Sequence, residues 1–224
     1  MNRPVALVTG ASRGIGRKIA EALSPTHHVL VGGRDAAAVA EVVASLDSAE
    51  PFVVDLTDEV GLGAAVAGID RVDVLVHSAG LVAFGPLADS STAEWRSLLE
   101  LNVIAPAALT RLLLPALRAA NGLVVFINSG AGLTANKGFS LYSASKFALT
   151  ALADSLRAEE HGRVRVTSLH PGRVATDMQA QLAAMEGREY RPEVHLDPAA
   201  VAHAVRLAVD LPDASLDAVR INPA

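Results

Sequence analysis

Residues 9–16 read TGASRGIG and follow directly on the apolar run VALV at residues 5–8. An apolar run of that length reads as a buried strand, and residues 14–24 carry helical spacing, so the segment is a strand, a turn and a helix. Gly10, Gly14 and Gly16 all fall in the turn or at the first residues of the helix. A helix amino terminus attracts anions, because its first amide groups have no intrahelical acceptors and the macrodipole is positive there. Glycines let a pyrophosphate come close to that backbone. The usual dinucleotide fingerprint is Gly-x-Gly-x-x-Gly, whereas the spacing here is Gly-x-x-x-Gly-x-Gly. Taken alone, such a turn is equally a tight strand-to-helix connection, and the rest of the chain decides between the two.

Outward from this turn, apolar runs recur at residues 29–31, 52–54, 72–76, 123–127, 164–169 and 218–221, and each reads as a strand. Helical spacing fills 35–46, 58–67, 93–119, 145–160 and 198–209, with Ser91 and Glu94 spaced as a capping box. Strands alternating with helices need crossovers. The expected fold is therefore α/β, a Rossmann-type doubly wound, mostly parallel seven-stranded sheet with helices on both faces. No linker or repeat divides residues 1–224, so a single domain is expected. Residues 177–198 are polar and flanked by proline, which predicts a mobile excursion covering a ligand.

Composition narrows the function. The chain has 224 residues, 51% of them apolar, and a formal net charge of -5, which leaves no basic footprint for nucleic acid. No run of eighteen or more consecutive apolar residues is present, and the first strand starts within a few residues of the amino terminus. A cytoplasmic protein with no membrane partner is the expectation. The absence of cysteine excludes disulfides and thiolate chemistry, and the seven histidines, His27 and His28 adjacent and the others scattered, show no metal-ligand spacing.

Further motifs follow the glycine turn in order, and together they resemble the short-chain dehydrogenase/reductase family. Asp55 and Leu56 are similar to the family's acidic position after the third strand, which contacts the adenine. HSAG at residues 77–80 resembles its Asn-Asn-Ala-Gly turn, with His77 and Ser78 in place of the two asparagines and Ala79 and Gly80 retained. LNV at 101–103 supplies Asn102, INSGAG at 127–132 supplies Ser129, and YSASK at 142–146 supplies Tyr142 and Lys146. HPGRVAT at 170–176 supplies Pro171, Gly172, Val174 and Thr176.

The resemblance implies hydride transfer between a nicotinamide cofactor and a carbonyl or secondary alcohol. It assigns Gly10, Ser12, Arg13, Gly14, Ile15 and Gly16 to the cofactor, Ser129 to the substrate oxygen, and Asn102 to a water path. Thr176 is implied for the carboxamide and Lys146 for the nicotinamide ribose. Tyr142 is the implied acid/base. Residues four apart on a helix share a face, with Cβ atoms about 5–6 Å apart, so Lys146 is expected to lower the Tyr142 pKa. Cofactor choice is read from VLVGGRD at 29–35: Gly33 ends the second strand where NAD-preferring members carry an acid, and Arg34 follows. With Arg13 it forms a pair of guanidiniums suited to a 2'-phosphate, which favours NADP(H) over NAD(H). In the alternative, both arginines are solvated and Asp35 serves the ribose.

Past Thr176 the resemblance weakens. Arg188, Tyr190 and Arg191 are candidates for an anionic or aromatic substrate beside the plainer reading of a solvated basic loop. A homodimer or homotetramer is implied by the resemblance, with the helices near 95–119 and 145–160 as candidate interfaces. A non-catalytic cofactor-binding regulator and a nucleotide-sugar epimerase or dehydratase are the competing classes. The complete Ser-Tyr-Lys set counts against the first, and the chain length and glycine spacing against the second.

Overall fold

The computed structural model describes residues 3–223; residues 1, 2 and 224 of the expected domain lie outside the described residues. Seven strands, β1 (Val5–Val8), β2 (His28–Gly33), β3 (Ala49–Val53), β4 (Val74–His77), β5 (Leu123–Ile127), β6 (Arg165–Pro171) and β7 (Ala218–Ile221), form one sheet in the order β3-β2-β1-β4-β5-β6-β7. Every pairing is parallel. Among the described residues eight helices connect them: α1 (Gly14–Leu23), α2 (Ala36–Ala44), α3 (Glu59–Val66), α4 (Thr92–Leu99), α5 (Ala105–Ala120), α6 (Ser140–Glu159), α7 (Asp177–Met185) and α8 (Pro198–Val209).

The central strands are apolar throughout because both of their faces are covered. Successive residues alternate between two cores. Ala6, Val8, Val29, Val31, Val74, Val76 and Val125 pack with Ile19 and Leu23 of α1 and Val201 and Val205 of α8. Leu7, Leu30, Leu75, Val124 and Phe126 face the other way, against Leu62 of α3, Leu109 and Leu113 of α5 and Leu149 of α6. Because β1 has β2 on one side and β4 on the other, a crevice opens at the carboxyl ends of β1 and β4, where the chain reverses its direction of winding.

Several boundaries differ from the sequence expectation. The predicted helix at 93–119 is α4 and α5 joined through a π-helical turn at Glu100–Ile104, where the Ala105 amide donates to the Glu100 carbonyl. Ser91 and Glu94 form the expected reciprocal capping box. The helical stretch Thr92–Ala120 is long and apolar enough to cross a membrane by length and composition, with mean hydropathy 1.4, although one flank of it builds the second core. Helix α6 starts five residues before the predicted 145. Within residues 177–198 the chain folds into α7 and a short 3-10 turn, Pro192–Val194. Helix α7 is capped by Thr176 and buries Gln179, Leu182 and Ala183.

Candidate active site

The glycine turn sits at the crevice. Gly10 adopts φ 62°, and a Cβ there would lie 2.8 Å from the Ala79 backbone, so only glycine lets the turn pack on the loop after β4. At Gly16 a Cβ would fall 2.3 Å from the Gly10 carbonyl oxygen, which closes the turn onto the first coil of α1. Thr9 ties the two loops together: its Oγ1 accepts from the amides of Ser78 (3.0 Å) and Ala79 (3.2 Å). Helices α2, α3, α4, α7 and α8 are each capped by a side chain, Asp35, Asp58, Ser91, Thr176 and Asp197. Arg13, at the corresponding position of α1, makes no side-chain cap, and the first turn of α1 holds no acid. The amides that begin α1 thus have no side-chain cap, and at the positive end of the dipole they suit an anion.

Two adjoining cavities share Ile15, Ser78, Gly80, Thr176 and Met178 in their walls and form one cleft. Its outer end is lined by Ser12, Arg13, Gly14, Gly33, Arg34, Leu56 and Ala79. The two arginines are exposed and loosely engaged, Arg13 at 4.0 Å from Asp177 and Arg34 at 3.8 Å from Asp55. Asp35 is committed elsewhere, accepting from the amides of Ala37 and Ala38 as the cap of α2. Asp55 is similarly engaged by the amide and hydroxyl of Thr57, at 2.9 and 2.8 Å, and does not line the cleft.

The inner end holds Ser129, Tyr142, Lys146, Pro171, Gly172, Val174 and Thr176. Lys146 is buried and donates from Nζ to the Ile127 carbonyl (3.1 Å), and burial lowers its pKa to about 8. Its Nζ lies 5.8 Å from the centre of the Tyr142 ring. The expected depression of the tyrosine is not what this geometry produces. Burial pushes the phenol above its ordinary value, and only a hydrogen bond with Ser129 works in the opposite direction. The reason is desolvation, which disfavours phenolate and ammonium alike. Ser129 is held at its backbone by His170, whose Nδ1 lies 3.0 Å from the Ser129 carbonyl, so the ring donates from that nitrogen.

Asn102 sits in the π turn, buried, with its side chain fully used. Its Oδ1 accepts from the Leu81 amide (2.8 Å), and its Nδ2 donates to the Leu81 carbonyl (3.0 Å) and to Ser145 Oγ (3.1 Å). The side chain therefore fastens the loop after β4 to α6. His77, where the resemblance has asparagine, turns into the core: Nε2 meets Thr110 Oγ1 at 2.8 Å and the ring stacks on Phe126 at 5.0 Å. Burial lowers its pKa to about 3. Arg188, Tyr190 and Arg191 do not line the cleft; Arg191 pairs with Glu193 at 3.0 Å and Tyr190 lies against His195. Gln179, Leu182 and Phe139 do line it, and no motif in the sequence pointed to them.

The family model described as short chain dehydrogenase matches residues 4–187. An uncharacterised short-chain type dehydrogenase/reductase of Sinorhizobium fredii is 37% identical over 221 residues, covering 95% of this chain and 88% of that protein. Among solved structures, an alcohol dehydrogenase from the archaeon Thermococcus sibiricus, complexed with 5-hydroxy-NADP, superposes with TM-score 0.88 at 25% identity, covering 98% of this chain and 96% of the other. A metagenomic short-chain oxidoreductase in complex with NADP superposes with TM-score 0.83 at 33% identity, covering 100% and 98%.

Proposed function

Because the chain belongs to the short-chain dehydrogenase/reductase family, we propose that it is an NADP(H)-dependent oxidoreductase that interconverts a carbonyl compound and a secondary alcohol. One observation carries the reading: a single cleft runs from an uncapped, glycine-lined helix start with two arginines to Ser129, Tyr142 and Lys146. The solved relatives that hold NADP or its 5-hydroxy form support the phosphorylated cofactor, as does the withdrawal of Asp35 into its helix cap.

The residues present fit such a cofactor. The amides of α1 would take the pyrophosphate, Arg13 and Arg34 the 2'-phosphate, Leu56 and Ala79 the adenosine side, and Thr176 the carboxamide. When bound, the nicotinamide supplies or accepts the hydride. The chain's own part is to orient the substrate and move one proton. In reduction, Ser129 Oγ stabilises the carbonyl oxygen as negative charge grows, and the Tyr142 hydroxyl gives that oxygen its proton. The phenol carries its proton at neutral pH, but burial makes it a weaker acid than a free phenol, so the Lys146 charge, 5.8 Å from the ring centre, has to offset that cost as the proton leaves. Asn102 acts by positioning, since it locks the loop after β4 to α6.

Self-association is part of the proposal. Ile104 at the end of the π turn and Phe147 on α6 are large apolar side chains 51% and 44% exposed, and light scattering should report a dimer or tetramer. The function itself is tested by mixing the protein with NADPH and a panel of aldehydes and ketones and following the absorbance of the reduced nicotinamide. Carbonyl-dependent NADPH consumption is expected, and none with any compound, in either direction, would refute the reading.

A further inference from the structure

Two buried side chains in the wall of the inner end carry a polar atom without a partner among the described residues, Asn128 Oδ1 and Gln179 Nε2. Asn128 is already anchored through its Nδ2 to Thr150 and Ser168, whereas the fold and the proposed chemistry give the Gln179 amide nitrogen no work. Gln179 lies in the first turns of α7, is 6% exposed, and lines the cavity that holds Ser129 and Tyr142. Its Nε2 has no partner among the described residues. An unpaired buried amide costs about 1–3 kcal/mol, so an apolar residue at this position would serve packing better. The neighbouring wall, Phe139, Met178 and Leu182, is apolar.

Charge at this end is balanced. Arg173 also lines the cavity, but its guanidinium is joined at both Nη atoms to Glu186, at 2.7 and 2.6 Å, and Glu186 is 5% exposed. The cations expected to greet an anionic substrate, Arg188 and Arg191, stand outside the cavity. Lys146 is withdrawn to the Ile127 carbonyl. Among the described residues that line the cavity, Arg173 is paired and Lys146 is bonded to a backbone carbonyl, so a substrate carboxylate here would meet no unengaged cation, at a cost of several kcal/mol.

We propose that Gln179 is a specificity-determining residue whose amide hydrogen-bonds a second oxygen on an uncharged substrate, so that the cleft prefers neutral carbonyl compounds with a further oxygen near the reacting one. The inference rests on the oxidoreductase reading given above. It adds no chemical step: the second oxygen is bound, and the proton still comes from Tyr142. Thr176 caps α7 by accepting from the Gln179 amide at 3.3 Å, which fixes where the side chain leaves the helix.

The test uses three probes with NADPH, namely ethyl 3-oxobutanoate, 3-oxobutanoate and 2-hexanone, on the full chain and on Gln179→Leu. The wild type should favour the ester over the free acid by at least ~10-fold in kcat/KM, the consequence of burying an unpaired carboxylate. Gln179→Leu should raise KM for the ester about fivefold to tenfold, with kcat nearly unchanged and 2-hexanone little affected. Ligand-observed NMR on the complex with NADP+ should show the same weakening for the ester, independently of turnover. Preference for the free acid, equal losses for ester and 2-hexanone, or weaker NADPH binding in the variant would overturn the assignment. The last result would hand Gln179 to the cofactor. A protein that binds NADPH yet reduces none of the three probes also overturns this substrate class and leaves the oxidoreductase reading to other carbonyls. One that neither binds NADPH nor reduces any carbonyl removes both.

Discussion

The two ends of the cleft are built in opposite ways. At the inner end, Asn102 and Lys146 are buried and bonded to backbone carbonyls or amides, and Ser129 is held from behind by His170. At the outer end, Arg13 and Arg34 are 73% and 72% exposed, each facing an aspartate at 4.0 or 3.8 Å, distances at which exposed pairs contribute little. On the proposed reading the inner end is held in place because proton transfer needs positions good to a fraction of an ångström. The outer end only has to present charge to a phosphate, which a mobile side chain does well. Chemistry should therefore be hard to alter without loss, and cofactor choice easy to alter without harm to the fold.

The largest expected effect comes from the rigid end. Tyr142→Phe should lower turnover by ~10²-fold to 10⁴-fold, the usual contribution of a positioned acid, while the NADPH dissociation constant stays near wild type. Initial rates and a fluorescence titration check the two halves of that statement. A rate near wild type would remove Tyr142 from the chemistry.

Lys146 sharpens the comparison through pH. Its pKa of about 8 lies below the 10.5 of the exposed side chain, so charge is lost as pH rises through about 8. Reductive kcat/KM should fall there along a one-proton limb, and Lys146→Met should show a lower rate without that limb. The sign for stability is opposite: between about 8 and 10.5 the unfolded chain holds the extra proton, so folding gains from this group as pH rises. Lys146→Met should accordingly keep or raise the melting temperature while losing activity, a cost of function carried by the fold.

A smaller effect separates fold from site. The buried His77 titrates near 3 instead of 6.5, so the unfolded chain takes up a proton between those values that the folded chain refuses. Stability is fully present above pH 6.5 and is lost as pH falls, by about 2 kcal/mol at pH 5 for this group alone. His27 and His170 are shifted the same way by burial. Denaturant melts at neutral and acid pH should show a flatter dependence for His77→Asn, and an unchanged slope would place the acid sensitivity elsewhere.

Legibility in the sequence followed the same division. Strands such as VALV and LVVFI were readable because burial on both faces makes them continuously apolar, and the glycine turn because close backbone approach leaves no room for a Cβ. That Ser129, Tyr142 and Lys146 come together in one cavity agrees with the set named from their order along the chain. Burial was not readable, and it reverses the expected direction of the Tyr142 shift. Nor was the π turn, since spacing alone does not distinguish it from continued α-helix. Gln179 escaped notice because a glutamine on a polar-looking helix becomes informative only when its amide is found buried in the cleft without a partner.

The central claim, that the exposed arginines choose the cofactor while Ser129, Tyr142 and Lys146 at the inner end do the chemistry, is tested most directly by dissociation constants of NADPH and NADH for the wild type and Arg13→Ala with Arg34→Ala. Substituting Gly33 would be a poorer probe, because a Cβ there comes within 2.7 Å of Val39 Cγ2 in the core. Charge-assisted hydrogen bonds contribute on the order of 1.5–3 kcal/mol each, so losing one or both predicts at least ~10-fold weaker NADPH binding. NADH, which lacks the 2'-phosphate, should bind the double variant as it binds the wild type. Equal losses for the two cofactors would mean that the arginines support the turn in general, and would contradict the account.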